Sequence, residues 1–511
     1  MMRVNRRSIS RVGFCAACVC ATITSPAATL SPAVRVNATV AGDQVPVDTV
    51  IGANGDVLVL WNDASHGGAT TFKRYRSDGT ALDASERSLG VDITQGDQFP
   101  KLGRRAALDR QGNFVILRTA PDGSGTGIFA ELYDRQGTLR TPDFRVNDTT
   151  AGSQFGPSIA ANAAGEFVVT WVSGTNLYAK RYASNGSAHG GEILIGHAAS
   201  NLESPTSALD ANGNFTVVWQ DVVDLNASTY SIWRRRFRTD GAPLGAAERI
   251  DGGFPGSGAR CFVAMAPGGT SVVVWWGLVE GAAGRYFNAY ARRFDAAGVP
   301  LGVPFRVNGS DWTAASPNGL EAGMTDNGSF IVGFGTQYRQ YAADGTPLET
   351  AGVWTNKVGT NGYFAMDRPR LGVDLVGRVT LTSGRWPLSI DEDVFLTHLM
   401  LDTVPTPIAL SDGQVLTNLT AAAGTFQYFK LVVPDGKTTL DASIFAVGAA
   451  GDADLYLRYA ALPTLEFWDA RPYVNGSNER AVITGIPAGD WYVGVQGYSS
   501  YSGVSLTVTA R

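Results

Sequence analysis

The sequence predicts an all-β protein, in which a seven-bladed β-propeller of four-stranded antiparallel blades is followed by a β-sandwich. Between residues 45 and 401, a Gly-led turn and a short apolar run recur about every fifty residues, as in stacked units that cannot bury their own apolar faces. Charged residues are only 17% of the chain, and frequent Gly, Val, Thr and Trp favour strands. Finally, 511 residues exceed what one hydrophobic core serves. The turn glycines are Gly55, Gly112, Gly165, Gly213, Gly269, Gly328 and Gly377.

Residues 1–33 are predicted to be a signal peptide. Arg6 and Arg7 precede a short apolar stretch over 12–23, and small residues offer cleavage sites after Ala27 or Ala33. The stretch is too short to span a bilayer, so no membrane insertion is expected. The protein is therefore expected to be secreted, either extracellular or periplasmic, by the general route or by the less favoured twin-arginine route.

Charge and cysteine content narrow the function classes. The formal net charge is −5, and loss of the four arginines of residues 1–33 brings it to about −9. A basic nucleic-acid surface is therefore not expected. Cys261 becomes the last thiol, which excludes an intramolecular disulfide and predicts a small buried side chain.

Each repeat is predicted to contain four strands, and small residues mark the first of them. Such side chains suit strands that converge on a common axis. The second strand is the apolar run, with an aromatic end at Trp61, Trp171, Trp219, Trp275 or Phe334. The third alternates basic and aromatic residues, as in Lys180-Arg181-Tyr182, and a Gly turn leads to the fourth. The small residues, five before each turn glycine, are Ala107, Ala160, Ala208, Ala264, Gly323 and Gly372, with Val50 the exception.

The two ends of the repeat array complement each other. The seventh repeat stops after its third strand, near residue 401, while residues 34–37 repeat the fourth-strand pattern of residues 144–147. We therefore expect residues 34–401 to form a ring that the N-terminal strand closes, which removes exposed sheet edges. An open solenoid is the less favoured alternative. The repeats resemble those of bacterial extracellular β-propellers.

A linker composition, with Pro405 and Pro407, predicts a boundary over residues 402–413 and a separate domain over 414–511. The motifs of this domain are Tyr428-Phe429-Lys430-Leu431, Gly451-Asp452-Ala453-Asp454-Leu455-Tyr456-Leu457-Arg458 and Ala488-Gly489-Asp490-Trp491-Tyr492-Val493. In these motifs the segment resembles the bacterial pre-peptidase C-terminal domain, a β-sandwich appended to secreted hydrolases and other exported proteins.

Asp452 and Asp454 are the candidate metal ligands. Two carboxylates at the start of a strand can share a calcium ion if carbonyl groups complete six to eight oxygens. Related collagen-binding domains use acidic residues in this area to bind calcium, and they take further ligands from an acidic segment before the sandwich. In this chain, that segment offers only Asp412 and Asn418. The alternative is that both aspartates cap the turn and accept backbone N–H bonds.

Catalytic residues are not predicted. The four histidines form no zinc-binding pair at helical spacing, and no Gly-x-Ser-x-Gly elbow is present. Propeller glycosidases use two carboxylates, but the sequence selects no pair among those in its variable loops. These are Asp97, Glu203, Asp221, Asp224, Glu280, Asp311 and Glu321.

The leading hypothesis is a secreted, non-catalytic recognition protein. The propeller loops would bind an extracellular protein or polysaccharide, and the C-terminal domain would support secretion, stability or attachment to a polymer. The alternative is an extracellular polysaccharide hydrolase or lyase that uses loop carboxylates. We expect a monomer, and no cofactor beyond the calcium ion considered above.

Overall fold

The structure is a computed structural model. It describes residues 34–38, 41–76, 79–94, 103–197, 205–224, 229–253, 256–281, 284–308, 319–334, 337–345, 347, 352–353, 366–385, 393–400, 407–459, 462–463, 465, 468–472 and 474–511. The predicted signal peptide, residues 1–33, lies outside these ranges. Within them, no helix is both long and apolar enough to cross a membrane.

Strands dominate the described part of the chain, in which one turn of 3₁₀ helix lies at Ala64–His66. The strands that precede the C-terminal domain are β1 Val34–Arg35, β2 Gln44–Ile51, β3 Val57–Asp63, β4 Ala69–Tyr75, β5 Arg87–Ser88, β6 Ala106–Leu108, β7 Phe114–Pro121, β8 Thr126–Tyr133, β9 Leu139–Arg145, β10 Gln154–Ala161, β11 Phe167–Ser173, β12 Asn176–Tyr182, β13 Ile193–His197, β14 Thr206–Leu209, β15 Phe215–Asp224, β16 Thr229–Phe237, β17 Glu248–Arg249, β18 Gly256–Met265, β19 Ser271–Gly281, β20 Gly284–Phe294, β21 Phe305–Arg306, β22 Leu320–Met324, β23 Phe330–Phe334, β24 Gln337–Tyr341, β25 Gly352–Val353, β26 Met366–Val373, β27 Arg378–Arg385 and β28 Asp393–Met400.

These strands form successive antiparallel groups, which we call units 1 to 7 within the described ranges. Units 1 to 6 take four consecutive strands each, from β2–β5 to β22–β25, and unit 7 contains β26–β28. Units 4 and 5 share one eight-stranded sheet because Tyr230 of β16 bridges Gly256 of β18. The predicted all-β fold with four-stranded antiparallel sheets is confirmed.

The missing strand of unit 7 comes from the start of the described chain. β1 pairs antiparallel with β28, with Val34 opposite Leu396. Next to β1, Val36 donates to the carbonyl of Val394 at 2.8 Å, and Asn37 Oδ1 accepts the Val394 N–H at 2.9 Å. In unit 2, Val146 and Asn147 make the same two bonds to Ile128. β1 therefore takes the place of a fourth strand.

Basic residues of the third strands join neighbouring units. Lys180 of unit 3 donates to the carbonyl of Val146 in unit 2 at 3.2 Å, and Arg235 of unit 4 donates to Ile195 in unit 3 at 2.8 Å. Arg292 and Arg339 repeat the pattern in units 5 and 6. These carbonyls lie on or directly after the outer strands of their units, so the recurrent basic-aromatic motif satisfies main-chain acceptors between sheets.

The apolar cores also lie between units. Trp171 packs in a cluster with residues of units 2 and 3, and Trp275 in a cluster of units 4 and 5. The cluster around Trp61 combines unit 1 with Val394 and Leu396 of unit 7. All of these tryptophans are fully buried. As predicted, the apolar run of each of these repeats supplies the core between neighbouring sheets.

The strands of the C-terminal domain are β29 Ile408–Leu410, β30 Val415–Ala421, β31 Phe426–Val433, β32 Thr439–Ala450, β33 Ala453–Tyr459, β34 Glu479–Thr484, β35 Gly489–Gly497 and β36 Tyr501–Ala510. They form two four-stranded sheets, ordered β29-β31-β35-β33 and β30-β36-β32-β34, with one apolar core between them. β29 pairs parallel with β31 and buries Leu410, so the predicted linker over residues 402–413 extends too far into the domain.

Candidate functional site: the central cavity

A cavity of about 440 Å³ lies where the first strands of the units meet. Every unit contributes its first strand to the wall, and the wall is made largely of alanine and other apolar side chains. The small residues that the sequence places five positions before each turn glycine all line this cavity, as does Val50. The prediction that these strands converge is confirmed.

The wall leaves no room for larger side chains at two of these positions. A Cβ atom on Gly323 would lie 2.1 Å from Cγ2 of Val373 in the next unit. A Cβ atom on Gly372 would lie 3.0 Å from Cγ2 of Ile51 in unit 1. Glycine therefore allows units 6, 7 and 1 to approach closely around the cavity.

Arg104 of unit 2 crosses one end of the cavity. Its Nη1 lies 3.2 Å from Oδ1 of Asp48 in unit 1, and its Nη2 lies 3.2 Å from Oε2 of Glu321 in unit 6. The guanidinium also donates to the carbonyl of Leu371 in unit 7 and lies 5.1 Å from the ring centre of Phe262 in unit 5. One side chain thus contacts four other units.

The charges around Arg104 are balanced and buried. Glu321 accepts a second pair from Arg370 at 3.0 Å, and Asp48 accepts the backbone N–H of Arg105 at 2.6 Å. Burial lowers the pKa of Arg104, but the neighbouring carboxylates of Glu321 and Asp48 outweigh it and raise the pKa overall. The group therefore remains a cation, and both carboxylates are occupied by its bonds.

The C-terminal domain borders the cavity, where Arg458, Trp468 and Asp469 join the lining. Arg110, in the turn of unit 2, binds the Asp469 carboxylate with both terminal nitrogens and donates to the carbonyl of Tyr459 at 3.1 Å. Arg458 pairs in turn with Asp326 in the turn of unit 6. Contacts thus lie on opposite sides of the cavity mouth.

Further contacts hold the domain against unit 7. Arg378 binds Oδ2 of Asp490 at 2.9 Å. Tyr492 and Leu462 share an apolar cluster with Val376. Burial lowers the pKa of Arg458 to about 10, so this guanidinium is still charged at neutral pH. The domain is thus joined to the units by an apolar contact and by ion pairs, in some of which the arginine belongs to a unit and in another to the domain.

Carboxylates that line the cavity already have partners. Asp210 accepts the backbone N–H groups of Asn212 and Asn214 at 2.9 Å. Asp374 accepts those of Val376 and Arg378, and Arg110 binds Asp469. Glutamate or aspartate in a glycosidase needs free access to substrate and water. The described lining contains no carboxylate without such a partner.

The loop carboxylates of the sequence hypothesis do not form a described pair. Glu321 lies on β22, buried, and is bound to two arginines instead of facing a loop. The carbonyl of Asp221 on β15 accepts the Ser231 hydroxyl at 3.1 Å. The remaining candidates lie outside the residues or side chains that the structure describes: Asp97, Glu203, Asp224, Glu280 and Asp311.

Asp452 and Asp454 point to different partners. Oδ1 of Asp452 accepts the N–H of Gly476 at 3.1 Å, as the capping alternative expects. Oδ2 of Asp454 lies 2.5 Å from a nitrogen of Arg471. Among the described residues, no cluster of three acidic, histidine or cysteine side chains could hold a metal ion. A calcium ion would have to displace Arg471, and the site remains a prediction from the sequence.

Asp63, Ser65 and His66 form a local cluster that resembles a triad only in composition. Ser65 Oγ donates to Oδ1 of Asp63 at 2.6 Å, while His66 Nδ1 lies 2.8 Å from Oδ2. Ser65 Oγ also lies 3.1 Å from His66 Nδ1. The same ring nitrogen therefore faces both the carboxylate and the hydroxyl, whereas a catalytic triad uses one ring nitrogen for each, so the cluster lacks the geometry of a triad. The cluster caps the 3₁₀ turn.

Comparison with known families identifies the C-terminal part. Residues 425–497 match the bacterial pre-peptidase C-terminal domain. The C-terminal domain is a member of this family. The predicted resemblance is confirmed, and the pre-peptidase C-terminal domain is thus the element that borders the central cavity beside the repeat units.

Curated relatives share only a short segment with this chain. Alkaline serine exoprotease A of Vibrio alginolyticus is 39% identical over 106 residues, which are 20% of this chain and 19% of that protein. A zinc metalloprotease of Helicobacter pylori is 33% identical over 106 residues, 20% of this chain and 40% of the relative. The chain spans less than half of either relative, so their activities are not assigned to it.

Solved structures give distant likenesses. The polysaccharide lyase Uly1 has a TM-score of 0.42 at 11% identity, over 73% of this chain and 99% of that one. The α-L-arabinanase of Penicillium chrysogenum has a TM-score of 0.38 at 16% identity, over 60% and 94%. Similarity this low carries no argument about activity.

Proposed function

We propose that the protein is an exported, non-catalytic binding protein built on a closed seven-bladed β-propeller. Three features support the closed ring. The first strands of all seven units line one cavity, β1 completes unit 7, and an apolar cluster joins unit 7 to unit 1. Each blade would hide its edges and faces against its neighbours, so the ring presents loops on a rigid scaffold.

The observation that carries a binding role is the state of the cavity carboxylates. Those of the described lining are engaged by arginines or turn N–H groups, and the Arg104 network occupies Asp48 and Glu321. Neither an acid nor a base is left for glycoside cleavage there. The ligand we propose is an extracellular protein or polysaccharide, bound by a monomer.

Export is supported by the pre-peptidase C-terminal domain together with the N-terminal sequence pattern of residues 1–33. Curated relatives include proteins named as extracellular, such as the extracellular protease of Xanthomonas campestris pv. campestris, 40% identical over 97 residues, 19% of this chain and 16% of the relative. We place the protein outside the cytoplasm on these grounds.

A retention assay tests the proposal. Purified residues 34–511 are incubated with insoluble glycans and protein polymers, and retained protein is measured beside released product. Retention without product release is expected. Release of oligosaccharide would replace the binding role with a polysaccharide hydrolase or lyase.

A pair of variants locates the binding surface. Tyr498, in the turn after β35, is 72% exposed on the C-terminal domain, whereas Val432 on β31 is a 56% exposed control in the same domain. If the propeller binds, Tyr498→Ala and Val432→Ala leave retention unchanged. A selective loss with Tyr498→Ala would move the binding surface to the C-terminal domain.

A further inference from the structure

The C-terminal domain contacts the units through the outer face of one of its sheets. On β33 and β35, Arg458, Asp490 and Tyr492 alternate with residues of the domain core and therefore point away from that core. All three are nevertheless buried, with 8%, 7% and 2% exposure. Units 6 and 7 cover them, because Asp326 of unit 6 pairs with Arg458 and Arg378 of unit 7 pairs with Asp490.

The same domain also reaches unit 2, so its contacts lie on both sides of the junction between units 7 and 1. Arg110, in the turn of unit 2, binds the carboxylate of Asp469. Arg135 of unit 2 lies 3.4 Å from Oδ2 of Asp56 in unit 1 and donates to the carbonyl of Ala488 in the domain at 3.4 Å. The domain thus binds the last two units of the chain and, beyond unit 1, the second unit.

The junctions that the domain spans differ in sequence from the other junctions. At each of the first five junctions, an arginine of the preceding unit donates to a turn carbonyl of the next unit. These arginines are Arg74, Arg140, Arg181, Arg236 and Arg293. At the register position of Arg181, unit 6 has Gln340 and unit 7 has His398. The units without an arginine at the end of this series are therefore the units that the C-terminal domain binds.

We propose that the C-terminal domain is an internal clamp, which takes the place of these arginines and holds units 6, 7, 1 and 2 together across the junction of the first and last units. This inference rests on the proposed function only in taking units 7 and 1 as neighbours in a closed ring. It selects stability among the roles that the sequence leaves open for this domain. The pairs of Arg458 and Arg378 suit a clamp, because they are shielded from solvent and from screening by salt.

Hydrogen exchange tests the clamp in residues 34–511. Asp490→Asn weakens the contact with unit 7, and Asp469→Asn weakens the contact with unit 2. We expect Asp490→Asn to raise amide exchange of β28 about fivefold, because the loss of one partner of a buried pair lets the junction open more often. Asp469→Asn, at a more exposed pair, should raise it about twofold. Exchange of β11 and β15, in units 3 and 4, should stay unchanged in both variants.

Asp441→Asn is the matched control. Asp441 is as buried as Asp490, with 8% against 7% exposure, and it lies on the other sheet, where it pairs with Arg480 and Arg511 of the same domain. The substitution is of the same kind, but it leaves the contacts with the units intact. Exchange of β28 should therefore stay as in the unaltered protein.

Two results would overturn the clamp. One is exchange of β28 that stays unchanged in both contact variants, and the other is an equal rise in β28, β11 and β15, which would make the domain a general stabiliser. If one contact variant fails to fold, the other decides. Exchange needs no ligand, so these results leave the binding role standing. Unprotected β28 amides in the unaltered protein would overturn the closed ring and the clamp together, whereas protection that neither variant lowers overturns the clamp alone.

Discussion

The repeat units and the C-terminal domain solve the same problem of burying a sheet face in different ways. In the units, each described apolar cluster joins two neighbours, as with Trp275 between units 4 and 5. In the C-terminal domain, Phe429 of one sheet and Leu506 of the other belong to the same core. The units thus depend on their neighbours for a core, whereas the domain contains its own.

The polar contacts follow the same division. Lys180 and Arg235 reach main-chain carbonyls of the preceding unit, so even the main-chain bonding of one unit is completed by another. In the C-terminal domain, Tyr459 donates to the carbonyl of Ala488 within the domain. The difference teaches that stability in the first region is collective, and that it is local in the second.

Expression of isolated segments tests most directly whether the units are stabilised collectively and the C-terminal domain by itself. Residues 407–511 are expected to fold alone and to melt cooperatively, because their core is complete. Residues 148–205, which contain unit 3, are expected to stay unfolded, because Trp171 and Phe167 lose half of their cluster. Circular dichroism during heating measures both. A cooperative melt of the single unit would contradict the collective account.

Deletion of residues 34–37 tests whether the ring is fastened at β1. The deletion exposes an edge of unit 7, removes buried Val36 and leaves the Val394 N–H and carbonyl without their partners. The expected loss is about 5 kcal/mol of unfolding free energy, read from chemical denaturation.

The matched control keeps the backbone and changes only exposed side chains. Val34→Thr with Arg35→Ser alters the exposed residues of β1, and we expect a change within about 0.5 kcal/mol. Equal stability of the deletion variant and the control would indicate an open array.

Much of the architecture could be predicted from the sequence because each repeat carries the residue pattern of its own strands and turns. The small residues at Ala107 or Gly323 are set by the geometry of one strand, and the turn glycines follow the same period. Pairing of residues 34–35 with unit 7 could also be predicted, because the fourth-strand pattern recurs in order. Because the pattern recurs several times within one sequence, the repeats can be aligned with one another.

The contacts between distant side chains could not be predicted. Glu321 has the sequence surroundings of a loop carboxylate, yet it meets Arg104, 217 positions away, and only the assembly of the units brings them together. The ion pair between Arg458 of the C-terminal domain and Asp326 of unit 6 joins residues that are 132 positions apart. No repeat or motif encodes either contact, so one sequence carries no signal for them.

The Arg104 network is a buried polar contact that joins five units. Arg104→Gln would leave Asp48 and Glu321 buried with less compensation, and we expect a loss of about 3–5 kcal/mol. Arg145→Gln, at a half-exposed position of unit 2 that bonds only the nearby Asn147 carbonyl, is the control and should cost much less. Denaturant titration of both variants measures the difference. Similar costs would show that the crossing arginine adds nothing to the contact between units.

The close packing of units 6 and 7 around the cavity predicts a smaller loss of stability when a side chain is added there. Gly323→Ala would force a Cβ atom against Val373 and cost about 2 kcal/mol through displacement of the neighbouring unit. Gly245 is exposed, has no heavy atom within 4 Å of an added Cβ and does not require positive φ. Gly245→Ala should therefore be neutral or slightly stabilising. Thermal melting of both variants gives the comparison, and an equal tolerance would argue against tight approach of units 6 and 7.

Addition of calcium is expected to change the melting temperature least, because the C-terminal domain is stable without a metal ion. Asp454 is already paired with Arg471, and Asp452 bonds the N–H of Gly476. We therefore expect millimolar calcium to shift the melting temperature by less than about 1 °C, since stabilisation requires binding to the folded state. Arg471→Gln frees Asp454, so a shift that arises only in this variant means that the arginine takes the cation's place. A clear shift in the unaltered protein would instead establish the calcium site that the sequence predicts.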